Sequence, residues 1–257
     1  MSYTLSRTEL LLGAEALERL RNSRVAIFGV GGVGSHAAEA LVRSGVGRFV
    51  LVDHDCICLS NVNRQIHATR KTVGQVKVEA MKARMLEINP EAEIEAIRDF
   101  YNPGRADELI GTGLDYILDC IDTVTGKLDL IQEAKQREIP IISAMGAGNK
   151  LDPTGFEVTD LSKTENCPLA KILRKELRKR GVRHLKVVYS REEALVPDQG
   201  VDPGCPEDCS CPKKGEPAIT SRRQLPGSVS FVPGVVGMIM AGEVIKDLIK
   251  KHSGEGV

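Results

Sequence analysis

The chain has 257 residues, with 35 Lys plus Arg against 35 Asp plus Glu and 42% hydrophobic residues. That length supports one large α/β unit with a substantial core, and the balanced charge excludes a global field drawing nucleic acid or membrane, leaving only local patches. Seven scattered cysteines, an odd number, exclude a disulfide framework; the polar stretch after Met1 is no signal sequence, so a cytoplasmic location is expected.

In chain order, "ELLLGAEALERLRNS" (Glu9 to Ser23) reads as an amphipathic helix leading into the first strand, Val25 to Val30. A glycine turn follows, then a helix from Ser35 to Ser44 and a strand from Phe49 to Val52 that ends on Asp53. In such a βαβ opening Gly29 makes the tight turn, Gly31 lets the backbone approach a phosphate, and Gly34 lets the helix lie close on the strand. The helix N-terminus offers free N–H groups and a partial positive charge, so it receives an anion. Asp53, 19 residues after Gly34, is placed to accept from a ribose hydroxyl. By itself this pattern says nucleotide, with NAD as the default.

Alternation continues: helix Gln75 to Ile88, strand Glu93 to Ile97, helix Gly104 to Ile110, strand Tyr116 to Ile121, helix Val124 to Gln136 and strand Pro140 to Ser143. The expected fold class is therefore α/β, a Rossmann-like, mostly parallel sheet with helices on both faces and ligands at the carboxyl ends of the strands. The second half differs. Phe156 to Leu161, His184 to Ser190 and Gly227 to Val232 look like strands that extend the sheet antiparallel, with a charged helix from Pro168 to Arg180 and a final helix after Pro233. Pro197 to Pro226 holds six of the twelve prolines together with Cys205, Cys209 and Cys211, and reads as a mobile loop. The apolar run after Gly234 is interrupted by Glu243, Lys246 and Asp247, too soon for a transmembrane segment. One continuous domain, residues 1–257, is the preferred division.

The segment "DHDCICLSNVNRQIHA" (Asp53 to Ala68) is too polar for a strand, and hydride transfer has no need of it. Asp55, Asn61, Asn63, Arg64 and Gln65 follow the second strand closely and can reach the crevice of the glycine turn, adding donors for a polyphosphate; an arginine forks onto two phosphate oxygens. Lys77 opens the next helix with a point charge for a β- or γ-phosphate. Asp122 ends the run "YILDCID", where a carboxylate is well placed for Mg²⁺. Asp119 reads instead as a buried hydrogen-bonding aspartate and Cys120 as core, whereas Cys56 and Cys58 lie near the nucleotide without a role. Each of these residues alone is ordinary; their order in one chain is not.

That order resembles the ubiquitin-activating-like MoeB/ThiF/HesA superfamily, whose members adenylate carboxylates with ATP. The resemblance runs from about Arg7 to Gly155, on GxGGVGS, the ribose aspartate, N-x-N-R-Q, the lysine and the strand-end aspartate. It implies that Gly29, Gly31, Gly32, Gly34 and Ser35 line ATP, that Asp53 holds ribose, that Asn61, Arg64, Gln65 and Lys77 contact phosphates, and that Asp122 binds Mg²⁺. It also implies a homodimer in which Arg7 reaches the partner's active site.

Within the superfamily, "NRQIHA", "SAMGAGNKLDPTGFEVTDLSKT", "CPLAK" and "LKVVYSREE" are similar to the tRNA threonylcarbamoyladenosine dehydratase branch. That likeness implies a tRNA substrate modified at position 37 and cyclised through an acyl-adenylate, with "GAGNKLDP" as part of the wall near the substrate. The alternative is adenylation of the C-terminal glycine of a ubiquitin-like sulfur carrier, with Cys167 or the loop cysteines in transfer and a cysteine desulfurase or sulfur acceptor as partner. A dinucleotide oxidoreductase and a non-catalytic binding module are weaker rivals, the first lacking a hydride-handling site.

Two departures from the sulfur-carrier relatives stand out. Asp122-Thr123 and then Lys127 replace Asp-Asn and an arginine, leaving one phosphate contact open. Paired CxxC motifs are missing, and C-x3-C-x-C at Cys205, Cys209 and Cys211 offers three thiolates and no fourth zinc ligand. Finally, "KILRKELRKRGVRHLK" (Lys171 to Lys186) is dense in Lys and Arg with Glu176 its only acid, and is either a solvated face or a track for RNA phosphates through Lys175, Arg178 and Lys179.

Overall fold

The computed structural model describes residues 3–198 and 226–250. Cys205, Cys209 and Cys211 and most of the expected loop lie outside these residues.

Seven strands form one sheet: β1 (Arg24–Phe28), β2 (Arg48–Val52), β3 (Glu93–Ile97), β4 (Tyr116–Asp119), β5 (Ile141–Ala144), β6 (Phe156–Asp160) and β7 (Lys186–Ser190), in the order β3-β2-β1-β4-β5-β7-β6. All neighbours are parallel except β6 and β7, so β6 alone runs antiparallel, at the edge. The helices are α1 (Ser6–Leu12), α2 (Ala14–Asn22), α3 (Gly34–Arg43), α4 (Lys77–Ile88), α5 (Ala106–Leu109), α6 (Val124–Gln136), α7 (Pro168–Lys179) and α8 (Phe231–Lys250).

Strand periodicity divides the core into two layers. Val25, Ile27, Phe49, Leu51, Leu118 and Val188 face one side and pack with α3, α4 and α8; Ala26, Phe28, Val50, Ile117, Val187 and Tyr189 face the other and pack with α6 and α7. The inner strands are apolar on both faces because both are covered, as parallel sheets require, whereas β3 and β6 at the two edges carry polar residues such as Glu93, Glu95 and Glu157. Winding reverses between β1 and β4, and the crevice outside their carboxyl ends is where this architecture binds ligands.

Three expectations are corrected. The helix expected over Glu9 to Ser23 is two helices, because Gly13 breaks it at φ 84°. Gly227 to Val232 is no strand: α8 already begins at Phe231, and Pro233 sits in its first turn, where a missing N–H leaves nothing unsatisfied. Val232, Val236, Met240 and Val244 then recur at helical spacing and are all fully buried. The strand from His184 to Ser190 lies parallel to β5 rather than antiparallel, since β6, running the other way, has already brought the chain back to the amino end of the sheet, where Asp160 pairs with Lys186 at the start of β7.

Candidate active site

The glycine turn joins β1 to α3. Gly29 has φ 88°, and a Cβ there would lie 2.6 Å from the carbonyl oxygen of Cys120 at the end of β4. A Cβ on Gly34 would lie 1.9 Å from the Gly29 carbonyl oxygen. Both glycines are thus required by the fold. Gly31 differs: among the described residues its Cβ would meet only Gln65 Nε2, at 3.9 Å, and they leave that space open. A Cβ on Gly32 would lie 3.1 Å from the Cβ of Pro233 at the start of α8. Ser35 is fully buried and its hydroxyl accepts from the Ile66 N–H at 3.3 Å, tying α3 to the N-x-N-R-Q segment.

Asp53, at the tip of β2, braces the turn. Its Oδ2 accepts the Val30 N–H at 2.7 Å and its Oδ1 accepts the Asp55 N–H at 2.9 Å. Lys77, at the first position of α4 and 5% exposed, reaches both acids: Nζ lies 2.6 Å from Asp55 Oδ2 and 4.0 Å from Asp53 Oδ1. Burial alone would lower the lysine's pKa, but the two carboxylates outweigh it and hold it above its ordinary value, so the ammonium stays charged. A carboxylate oxygen of Asp53, a ring nitrogen of His54 and a carboxylate oxygen of Asp55 lie close enough together to hold a cation. The backbone N–H groups and Lys77 already engage those carboxylates, so the group is better described as an organised turn.

The polar segment fills the opposite wall. Asn61 is buried and its Oδ1 accepts from Cys58 N–H at 3.0 Å, closing a tight turn over Leu59–Asn61. Arg64 Nη1 donates to the Ser60 carbonyl at 2.8 Å and to Asn63 Oδ1 at 2.9 Å. Asn63 Nδ2 in turn donates to the Ser228 carbonyl at 3.0 Å. Gln65 is 6% exposed and its Oε1 has no hydrogen-bond partner among the described residues, an acceptor left open in a buried place.

Across the crevice, Asn149 of "GAGNK" exchanges bonds with Gly227: its N–H donates to the Gly227 carbonyl at 2.8 Å and its Oδ1 accepts the Gly227 N–H at 2.6 Å. Residues 226–228 therefore bridge the N-x-N-R-Q wall and the GAGNK wall.

Asp122 is exposed in the connection from β4 to α6, two residues beyond Cys120. Lys127, which aligned with a phosphate-binding position, is instead 1% exposed, its Nζ 2.9 Å from Asp119 Oδ2 and 3.1 Å from Ser143 Oγ. It is the counter-ion of Asp119, which is the buried hydrogen-bonding aspartate its setting implied. Arg7 is exposed in α1, two residues after Leu5, whose side chain packs by Gly45 at the amino end of the sheet. The fold of one chain does not bring Arg7 to its own crevice. Cys120 packs on the core, and burial pushes its thiol up to about 12, so it is no nucleophile. Cys167, just before α7, is buried.

One residue without an assigned role in the sequence reading belongs to this site. His67, 2% exposed, places Nε2 2.8 Å from the Val30 carbonyl oxygen; burial above all lowers its pKa to about 4, so the ring is neutral and Nε2 carries the donated proton. Its position between Ile66 and Ala68 signals burial, but nothing local signals a partner 37 residues away.

The ThiF family profile matches residues 5–256. The chain is 47% identical over 251 residues to the tRNA threonylcarbamoyladenosine dehydratase of Bacillus subtilis (strain 168), covering 97% of this chain and 96% of that one. The crystal structure of Escherichia coli tRNA N6-threonylcarbamoyladenosine dehydratase in complex with ATP superposes with a TM-score of 0.84 at 32% identity, covering 98% of this chain and 96% of that one. A shorter likeness reaches the molybdopterin-synthase adenylyltransferase of E. coli (strain K12), 36% identical over 150 residues, 58% of this chain and 60% of that one. Matched by that profile over nearly its whole length and by a full-length relative at 47% identity, the chain belongs to the ThiF family.

Proposed function

We propose that this chain is an ATP-dependent enzyme that adenylates the carboxylate of threonylcarbamoyladenosine at position 37 of tRNA and cyclises it with net loss of water. The observation that carries the reading is the convergence on one crevice of an open-fronted helix terminus at Gly31, the Asp53 brace, and the cations of Arg64 and Lys77. Likeness over nearly the full length, in both directions, to dehydratases of that name supports the substrate. We read residues 1–257 as one adenylating domain, since strands from both halves share one sheet.

In the first step a carboxylate oxygen of the substrate attacks the α-phosphorus of ATP, and the bond to the bridging oxygen breaks to release pyrophosphate. A nitrogen or oxygen of the same nucleoside then attacks the acyl carbon, and AMP leaves carrying the former carboxylate oxygen. Because the second nucleophile is tethered to the first site, proximity replaces a catalytic thiol; Cys120 and Cys167, both packed into the interior, are not needed.

The protein's work is electrostatic and positional. Gly31, Gly32 and Gly34 offer N–H groups at the start of α3, and Ser35, whose own N–H donates to the Gly31 carbonyl at 3.1 Å, closes that turn. Asp53 keeps lone pairs free beyond its two backbone bonds, and we assign them to the ribose. Lys77 is held by Asp55 and turns part of its donor set to the phosphates, while Arg64, Asn61, Asn63 and Gln65 form the facing wall. Mg²⁺, when bound, neutralises phosphate charge. Asp122 fits that ion, being an exposed hard-oxygen ligand at a strand end, and such ions need only one or two carboxylates beside substrate phosphates. We further propose a homodimer. Leu10 and Leu11 of α1 are 84% and 83% exposed, and a second copy covering them would deliver Arg7 to a neighbouring crevice.

The test is mass spectrometry of tRNA nucleosides after incubation with enzyme, ATP and Mg²⁺. Loss of one water from threonylcarbamoyladenosine is expected; ATP–pyrophosphate exchange driven by a ubiquitin-like carrier and not by tRNA would replace this reading. Asp122→Ala should abolish tRNA-driven exchange without moving the melting temperature, and undiminished exchange would remove Asp122 from the site.

A further inference from the structure

The basic segment from Lys171 to Lys186 separates in three dimensions into structural and unengaged cations. Arg174 turns inward: its Nη1 donates to the Thr164 carbonyl at 2.6 Å, to Thr164 Oγ1 at 2.7 Å and to the Leu161 carbonyl at 3.3 Å. Lys186 pairs with Asp247 at 2.6 Å and Glu243 at 3.3 Å on α8. Lys179 pairs with Glu176 at 2.8 Å, and Arg180 donates to Gln132 at 3.3 Å. Lys171, Lys175 and Arg178 remain, all exposed, with no ion pair among the described residues. Arg183 joins them in the turn after α7.

The three helical cations recur at i, i+4 and i+7 and form one stripe, opposite the buried stripe of Ala170, Leu173 and Leu177. Charges of one sign side by side repel, and the single acid within this segment, Glu176, is already engaged by Lys179. The stripe carries almost no apolar surface, Ile172 being its one exposed large hydrophobe. That composition suits a hydrated polyanion and not a membrane or an apolar protein partner.

We propose that Lys171, Lys175 and Arg178, extended by Arg183, form the surface that tracks the phosphate backbone of the tRNA. This rests on the tRNA reading above and adds to it the contact surface. Such contacts hold and orient the nucleic acid without reading its bases. They therefore act on binding and its salt dependence, while the crevice at the other residues performs the chemistry.

The experiment measures binding of fluorescently labelled, unmodified tRNA transcript to the full-length protein by anisotropy over a salt series, for wild type and for Lys171→Glu/Lys175→Glu/Arg178→Glu. Each lost phosphate contact lowers the log–log salt slope by about 0.7–0.9, so the triple variant should lose about 2 or more in slope and weaken binding by roughly tenfold or more at low salt. ATP affinity and melting temperature should stay at wild-type values. The neutral variant Lys171→Gln/Lys175→Gln/Arg178→Gln should fall between the two, and serves if the reversed variant fails to fold. Lys82→Glu on α4, across the sheet, controls for net charge and should weaken binding less than Lys175→Glu. A slope unchanged in the folded triple variant, or equal effects of Lys82→Glu and Lys175→Glu, overturns the surface assignment. The two proposals fail separately: wild-type protein that binds tRNA but yields no dehydrated nucleoside refutes the reaction, and a catalytically competent triple variant with a wild-type slope refutes the surface.

Discussion

Lys127→Met is the sharpest test of how the crevice is supported. The ammonium and the Asp119 carboxylate are 1% and 0% exposed, 2.9 Å apart, and share Ser143 as a third partner, whose hydroxyl donates to Asp119 Oδ2 at 2.5 Å. Methionine fills the lysine's volume but leaves Asp119, among the described residues, with only the Ser143 hydroxyl and the Ile121 N–H, the latter 3.2 Å from Oδ1. Removing one partner of a buried pair costs about 3–5 kcal/mol, because the remaining charge stays desolvated. For a chain of this size each kcal/mol moves the melting temperature by about 2–4 °C, so a fall of roughly 10 °C is expected by calorimetry. The double variant Lys127→Met/Asp119→Asn removes the stranded charge and should recover much of that loss. ATP affinity, measured by titration calorimetry below the transition, should change little. A melting temperature within about 2 °C of wild type, together with a roughly tenfold or greater loss of ATP affinity, would make Lys127 a phosphate contact and refute the argument.

Gly31→Ala and Gly34→Ala should separate ligand glycine from fold glycine. The Gly34 methyl would meet the Gly29 carbonyl oxygen at 1.9 Å and should destabilise by about 2–3 kcal/mol or more, read as a lower melting temperature. Among the described residues the Gly31 methyl meets only Gln65 Nε2, at 3.9 Å, so stability should hold while ATP affinity falls; wild-type ATP affinity in Gly31→Ala would contradict the phosphate role. His67, held near 4 when folded against about 6.5 when free, takes up its proton more readily in the unfolded chain, so stability falls as pH drops through that window. The loss by pH 4 is about 3 kcal/mol, and His67→Leu should flatten this part of the profile in chemical denaturation; an unchanged acid limb would assign it to other groups.

The opening βαβ unit was legible in the chain because its determinants are local. Gly29 and Gly34 are five residues apart, their spacing is the geometry of one turn, and strand and helix periods write themselves into consecutive residues. The helix Val124–Gln136 and the strand Glu93–Ile97 were readable end to end for the same reason. Where two periods compete, as in "GSVSFV", a run of β-branched and aromatic residues favoured a strand, and only packing of Val232 and Val236 against α3 and the sheet makes it the start of α8.

The site divides along the same line. Residue types and order alone pointed to a nucleotide crevice at the carboxyl ends of β1 and β4, since Asp53, Arg64 and Lys77 follow closely on one another in sequence. Which cations are free and which are engaged was decided by tertiary structure. Lys127 meets Ser143 from a neighbouring strand, Lys186 meets Asp247 from the last helix, Arg174 caps the Leu161–Thr164 turn, and His67 reaches Val30. A charge shows its function through its partner, and those partners come from other elements, brought close only when burial of the two apolar layers closes the sheet.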